Sequence, residues 1–226
     1  MAIVWPCPDP VDVYAAAGRA VVVPRPVCPT CGDAMGFWPG YARSVRAGGV
    51  CHRIWIRRGK CGPCAVTHAL LPSFLLVGRL DGVDAIGDVL DAVTSGGSGV
   101  RPAAEDARVP HTTARDWVRR FCSRAGMWLG GFAALCVELG GRLPWRWPHT
   151  TPAAAPATAV TAIGLAWTAA AARHGPACPG RWSFAGLVSG GTLLGTTTNP
   201  PWSVFGNRRF MPPAPLGVPE QEEPDE

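Results

Sequence analysis

The sequence predicts an α+β fold, mainly α, in which a small four-cysteine ribbon precedes two helical units. Three observations carry this. Two Cys-x-x-Cys steps, Cys28–Cys31 and Cys61–Cys64, stand twenty-nine residues apart. The run from His52 to Arg57 alternates with period two and leads into the second step. From Asp81 onward, apolar residues recur at helical spacing and then give way to an Ala- and Trp-rich half. The expected organisation is a zinc ribbon over 19–78, a three-helix unit over 79–125, a helical module over 126–198, and a Pro-rich acidic tail over 199–226 read as disordered.

The cysteine steps come first. A Cys-x-x-Cys step lets two thiolates of one tight turn point at a single ion. Two such turns face to face make a closed tetrahedral sulfur site, the geometry of structural zinc. Cys28, Cys31, Cys61 and Cys64 are therefore the expected ligands, and zinc the expected cofactor. Gly32 and Gly62 are expected at the turn corners, where unusual backbone angles arise. Cys51 and His52 are spare ligands, and His68 is expected in the core or at the surface. Disulfides fit poorly: the cysteines number nine, and no secretory leader is read at the N-terminus. A thioredoxin-like pair would sit alone in a βαβ setting. Iron carriers with similar pairs are acidic, whereas no Asp or Glu occurs between Asp33 and Asp81.

Charge points the same way. The formal net charge is +5, yet residues 220–226 hold five acids and no base. The remaining body carries 21 basic and 11 acidic residues, which suggests a polyanionic partner. Arginine outnumbers lysine 20 to 1, a coding bias rather than a functional signal. Ala153 to Ala172 is uncharged and long enough to span a bilayer, but alanine dominates it, so a buried helix is expected and no membrane. With reduced cysteines the expected compartment is the cytoplasm, at the nucleoid.

In chain order, residues 1–18 read as an irregular arm, and Arg19 to Pro24 as a ribbon strand. Residues 34–50 read as mostly loop because of Gly36, Pro39, Gly40, Gly48 and Gly49. In the alternating strand, Ile54 and Ile56 face one way and Arg53, Trp55 and Arg57 the other. Phe74 to Val77 is expected to dock the ribbon on the helical part of the chain. Asp81 is a good N-cap for a helix with Val83, Ile86, Val89, Leu90 and Val93 inside and Asp84, Asp88 and Asp91 on a solvated face.

Arg101 to Phe121 reads as helix, turn, helix. Ala104 is small where two helices cross, and Val109 fills the turn. Ala114, Trp117, Val118 and Phe121 make the inner face of the second helix. His111, Thr112, Arg115, Asp116 and Arg119 are left outside. Such a unit places a recognition helix, beginning near Pro110, in the major groove of double-stranded DNA. Arg108 stands where a turn glycine is usual. Arg53, Arg57 and Arg58 of the ribbon are assigned to phosphates.

Cys61-Gly-Pro-Cys64, Thr67-His-Ala-Leu-Leu-Pro72 and Val109-Pro-His-Thr-Thr-Ala-Arg-Asp-Trp-Val-Arg-Arg120 together resemble the N-terminal DNA-binding region of bacterial insertion-sequence transposases. They also resemble an uncharacterised bacterial family of this layout described as transposase-like. The resemblance covers about residues 19–125. It implies zinc at the four cysteines and DNA binding through the helix bearing Arg115 and Arg119. A strand-transfer enzyme needs three separated carboxylates around two metal ions. Between Arg124 and Pro219 the chain has one acid, Glu138. The expectation is a non-catalytic DNA-binding protein, a regulator or accessory factor of a mobile element, with no small-molecule substrate. A transposase completed by another chain, a partner-binding ribbon that does not touch DNA, and an iron redox carrier are the alternatives. Helices are expected near 124–140, 155–173 and 182–195, the last module serving as a cap, a homodimerisation surface or a docking surface.

Overall fold

The structure is a computed structural model, and it describes residues 2–144, 151 and 153–195. Trp145, Trp147, Trp202 and the acidic tail lie outside the described residues. The described chain is α+β and mainly α. Its strands are β1 (Ala2–Trp5), β2 (Gly36–Ala47), β3 (Val50–Lys60) and β4 (Thr67–Pro72). Its helices are α1 (Val11–Ala17), α2 (Val83–Thr94), α3 (Val100–Asp106), α4 (His111–Cys122), α5 (Ala125–Glu138), α6 (Ala155–His174) and α7 (Arg181–Val188).

The strands form one sheet in the order β1-β4-β3-β2. β2 and β3 make a long antiparallel hairpin, with Ala47 opposite Val50 at its tip and Gly36 opposite Lys60 at its base. Gly48 (φ +58°) and Gly49 (φ +79°) both take the left-handed region, as a two-residue hairpin turn with the right twist requires. Residues 34–50 are thus mainly strand, not loop. Pro39 and Gly40 are absorbed by a β-bulge between Trp38 and Tyr41. Proline is tolerated there because β2 lies at the sheet edge.

The N-terminal arm is also ordered. β1 pairs in parallel with β4, and α1 packs on β3, where the Tyr14 hydroxyl donates to the Trp55 carbonyl at 3.0 Å. Proline spacing at 6, 8 and 10 suggested irregularity, but Ile3, Val4 and Trp5 are buried and supply the missing edge of the sheet. The Arg19–Pro24 run, expected as a strand, forms a 3-10 turn at Gly18–Ala20 followed by extended chain outside the sheet. Ile54 and Ile56 are buried, as the alternation predicts.

Two cores result. Ile54, Ile56, Leu70, Leu71, Tyr14 and Phe74 belong to the sheet core, which also takes Leu187 from α7. Val83, Ile86, Val89, Leu90, Trp117, Phe121, Trp128, Phe132 and Ile163 belong to a core shared by α2 through α7. The Phe74–Val77 run straddles them: Phe74 and Leu75 enter the first and Leu76 the second. That is the docking role the sequence suggested. α5 and α6 appear where helices were expected; α7 starts there too but ends at Val188, short of the expected 195. The buried residues of α6 (Ala159, Ala162, Ile163, Ala166 and Ala170 among them) line one face of the helix, so its small side chains let it lie close against α5. By length and composition it is the one described helix that could cross a membrane.

Two expectations about α2 are corrected. Asp81 does not cap the helix. Gly82 occupies the N-cap, and Asp81 is buried in an ion pair with Arg46, whose Nη2 donates to Oδ2 at 3.0 Å and whose Nε lies 2.9 Å from Oδ1. Burial of a carboxylate needs a partner of this kind. Asp84 and Asp88 are exposed, but Asp91 pairs with Arg181 and accepts a 3.2 Å hydrogen bond from the Trp182 indole. The apolar periodicity of α2 cannot reveal that α7 crosses its outer side.

Gly87 marks that crossing. A methyl group there would lie 2.1 Å from the Trp182 ring. Alanine normally stabilises a helix interior over glycine by up to about 1 kcal/mol. At Gly87 the order reverses, and Gly87→Ala is expected to lower unfolding free energy by about 1–3 kcal/mol. Gly164→Ala in α6, where a methyl would meet nothing within 4 Å, should be neutral or stabilising. Urea unfolding of the two variants checks the contrast, and equal effects would refute it.

Candidate functional site

The hairpin base carries the cysteine cluster. Met35 donates its backbone N–H to the Pro26 carbonyl, and Cys28 donates to the Asp33 carbonyl, closing the first loop. Gly32 turns this loop in the left-handed region at φ +83°. In the second loop the expected corner at Gly62 is not the strained one. Ala65 takes φ +55° instead, and the Cys61 N–H donates to the Val66 carbonyl. A single left-handed residue per loop is enough to reverse the chain, and in the second loop it falls just after the cysteine step.

These loops bring all four sulfurs within 4.8 Å of one another. Cys31 Sγ lies 3.4 Å from Cys61 Sγ, and Cys28 Sγ lies 3.9 Å from Cys64 Sγ. A tetrahedron with sulfur about 2.3 Å from its centre has edges of about 3.8 Å. The donor set and its spacing therefore fit one metal ion. As thiols the four are unequal. The Cys31 backbone N–H, ahead of other donors, holds the Cys28 thiol down to about 6, while hydrogen bonding with Cys31 and Cys61 pushes Cys64 up to about 12. Cys28 thus carries charge more readily than Cys31 or Cys64. A bound cation would displace the remaining protons, so affinity must fall as pH falls.

The spare ligands are excluded by register. Cys51 pairs with Arg46 near the hairpin tip, whereas Lys60 precedes Cys61 at the base. Ten residues of strand separate Cys51 from Cys61, about 30 Å. His68 is buried with neither ring nitrogen hydrogen-bonded, and burial lowers its pKa. It is a core residue of β4.

The other predicted site residues fall into two groups. His111, Thr112, Arg115 and Arg119 are exposed on α4, whose opposite face buries Ala114, Trp117 and Phe121. Asp116 is a hub there: it accepts from Arg120 at 2.6 Å, Arg119 at 2.7 Å and Arg79 at 3.4 Å. The hydrogen bond from Arg120, then that from Arg119, holds its carboxyl below the usual carboxylate range. Arg108 adopts φ +55° in the turn before α4, the position where glycine is usual. On the ribbon, Arg53 is exposed. Arg57 instead donates to the carbonyls of Arg19 and Val21, and Arg58 to the Thr67 hydroxyl at 2.6 Å. The structure separates the three arginines in a way that the strand alternation did not.

Sequence reasoning missed two features. Arg79 joins Asp116 to the Leu194 carbonyl, a link between positions far apart in the chain. Phe37, Trp38 and Tyr41 are exposed on β2, with Lys60 Nζ 4.2 Å from the Trp38 ring centre. The signal for β2 was present in Gly48-Gly49, a two-residue hairpin turn between alternating runs.

Replacing any of Cys28, Cys31, Cys61 or Cys64 with Ser is expected to abolish stoichiometric metal binding and unfold the hairpin base. Cys51→Ser and His52→Ala should keep the metal. Elemental analysis of anaerobically purified protein reads this directly, and chelator competition at several pH values should show tighter binding at higher pH.

The family described as a domain of unknown function (DUF6431) matches residues 28–117. The matched segment runs from the first cysteine of the cluster into α4, to Trp117. No curated protein and no solved structure matches this chain.

Proposed function

We propose that the protein is a non-catalytic, zinc-containing DNA-binding protein, a transposase-like regulator or an accessory factor of a mobile element. The observation that carries this reading is the division of α4. Its buried face is fixed by Trp117 and Phe121, and its free face presents His111, Thr112, Arg115 and Arg119. α2, α3 and α4 pack on one another, and α3 and α4 are joined by the short turn at Arg108. This is the arrangement a helix-turn-helix uses to offer one helix to the major groove. Arg115 and Arg119 lie one turn apart and can reach the same groove. Arginine suits guanine edges through its planar fork. Zinc is the ion favoured by four thiolates in a closed site. The metal orders the ribbon and takes no part in a reaction.

Asp116 restrains this face. Its pairing with Arg119 and Arg120 sets the direction of two guanidinium groups and lowers the local positive charge. Because its folded pKa is depressed, its contribution to stability is present above the unfolded carboxylate pKa. That contribution disappears as pH falls through the lower folded value. Asp116→Asn should flatten the acid limb of a stability–pH profile measured by urea unfolding.

On DNA, Arg115→Ala is expected to cost about 1–3 kcal/mol on the preferred duplex and to relax sequence choice. Arg53→Ala should weaken all duplexes about equally and flatten the salt dependence by about one unit. Duplexes selected from random fragments, titrated at several salt concentrations, distinguish the two. If the wild-type protein has no duplex affinity at low salt, the partner-binding ribbon becomes the better account.

A further inference from the structure

The β2 bulge creates a surface distinct from the free face of α4. In an unbroken strand, positions 38 and 41 point to opposite faces. Here Trp38 pairs with Arg58 and Tyr41 with Ile56. Directly opposed residues of antiparallel strands share a face, and Ile56 and Arg58 share one face of β3. The bulge thus turns Tyr41 onto the side of Trp38, about 7 Å along the sheet. Both residues are exposed, Trp38 at 43% and Tyr41 at 42%. Lys60 stands on this face too, its ammonium over the Trp38 ring. Arg43, opposite Ile54, continues the row and hydrogen-bonds the Arg79 carbonyl; Arg79 in turn pairs with Asp116 of α4.

We propose that Trp38, Tyr41 and Lys60 form a stacking platform for single-stranded DNA. Tyr41 can take a base, and Trp38 can take its neighbour once the Lys60 ammonium swings from the ring to the phosphate; base–aromatic stacking tolerates any sequence. A cation beside the rings supplies the counter-charge a sugar-phosphate backbone needs, and the stretch between Asp33 and Asp81 holds no acid to oppose it. Arg58 and Arg43 on this face are spent on Thr67 and the Arg79 carbonyl, so Lys60 is the cation it offers beside the rings, a pairing that suits a polyanion carrying bases better than a purely apolar partner. The choice of DNA as the polymer rests on the proposed duplex binding by α4. The surface and the strand state are different, and the Arg43–Arg79–Asp116 contacts link the platform's row to α4. A protein that holds a duplex with α4 and an unpaired strand with the hairpin suits the melted end of a DNA element.

The test uses the full metal-loaded chain and fluorescence anisotropy of labelled oligo(dT), oligo(rU) and duplex DNA. Trp38→Ala and Tyr41→Ala should each weaken oligo(dT) binding about tenfold, and Trp38→Phe should largely restore it. Lys60→Ala should reduce the salt slope for oligo(dT) by about 0.7. Phe37→Ala, on the opposite face, should leave oligo(dT) affinity within about twofold. Arg115→Ala should spare oligo(dT) while weakening the duplex, so failure of the platform and failure of the α4 reading are separable. Metal content and far-UV circular dichroism confirm that each variant is folded. The proposal is overturned if the wild-type chain does not bind oligo(dT) at low salt. It is also overturned if oligo(rU) binds and oligo(dT) does not, or if Phe37→Ala loses as much as Trp38→Ala.

Discussion

Four sulfurs gather within 4.8 Å of one another at the base of the β2–β3 hairpin, where a bound ion would close the end of the longest strand pair of the sheet. The loops at Cys28–Cys31 and Cys61–Cys64 contain few large apolar side chains and are tied mainly by backbone hydrogen bonds. Without an ion, the Cys31 backbone N–H favours a thiolate at Cys28, while hydrogen bonding with Cys31 and Cys61 favours a proton on Cys64. A cation bound there would replace the remaining protons and convert coordination energy into folding energy. In structural zinc sites that energy is about 10–16 kcal/mol, comparable to the whole stability of a domain.

The far end of the hairpin is held by a different interaction. Arg46 pairs with the buried Asp81, and its backbone N–H and carbonyl bond the Leu80 carbonyl and the Gly82 N–H. The hairpin tip also meets the turn before α4, since a methyl on Gly49 would lie 2.9 Å from the Arg108 side chain. The hairpin thus has the four-cysteine cluster at one end and the helical unit at the other. Leu187 from α7 in the sheet core, and the Val77 N–H bonded to the Gly191 carbonyl, tie the C-terminal helices to the same frame. Relative placement of the hairpin and α4 is therefore set by packing and not by a linker.

Electrostatics along this frame is one-sided. Arg43, Arg46, Arg53, Arg57, Arg58, Lys60 and Arg79 occur without an intervening acid. Several are used internally: Arg46 on Asp81, Arg57 on carbonyls, Arg58 on Thr67, and Arg79 on both Asp116 and Leu194. An arginine count therefore overstates the charge offered to a partner. Of the hairpin arginines Arg53 stays exposed, and α4 exposes Arg115 together with Arg119, which is paired with Asp116. Asp116 shows how one carboxylate can order three guanidinium groups and keep their mutual repulsion from destabilising the helix surface.

What the sequence by itself determined is local and periodic. Repeated Cys-x-x-Cys steps specify a four-sulfur site because two short turns have few other ways to satisfy four thiols. The spacing of Val83, Ile86, Val89 and Leu90, and of Ala114, Trp117 and Phe121, specifies helices and their buried sides because 3.6-residue periodicity is a property of the backbone. The tertiary structure decided everything that needs a partner distant in sequence. The prolines of the N-terminal arm did not prevent β1 and α1, since β4 and β3 supply their pairing and cover. Asp81 has a strong N-cap preference, yet a buried bond to Arg46 outweighs it. Asp91 left the solvated face because α7 crosses there over Gly87. Tyr41 joined Trp38 on one face only because a bulge shifted the register by one residue. Periodicity carries no information about such a shift, which is fixed by how two strands meet.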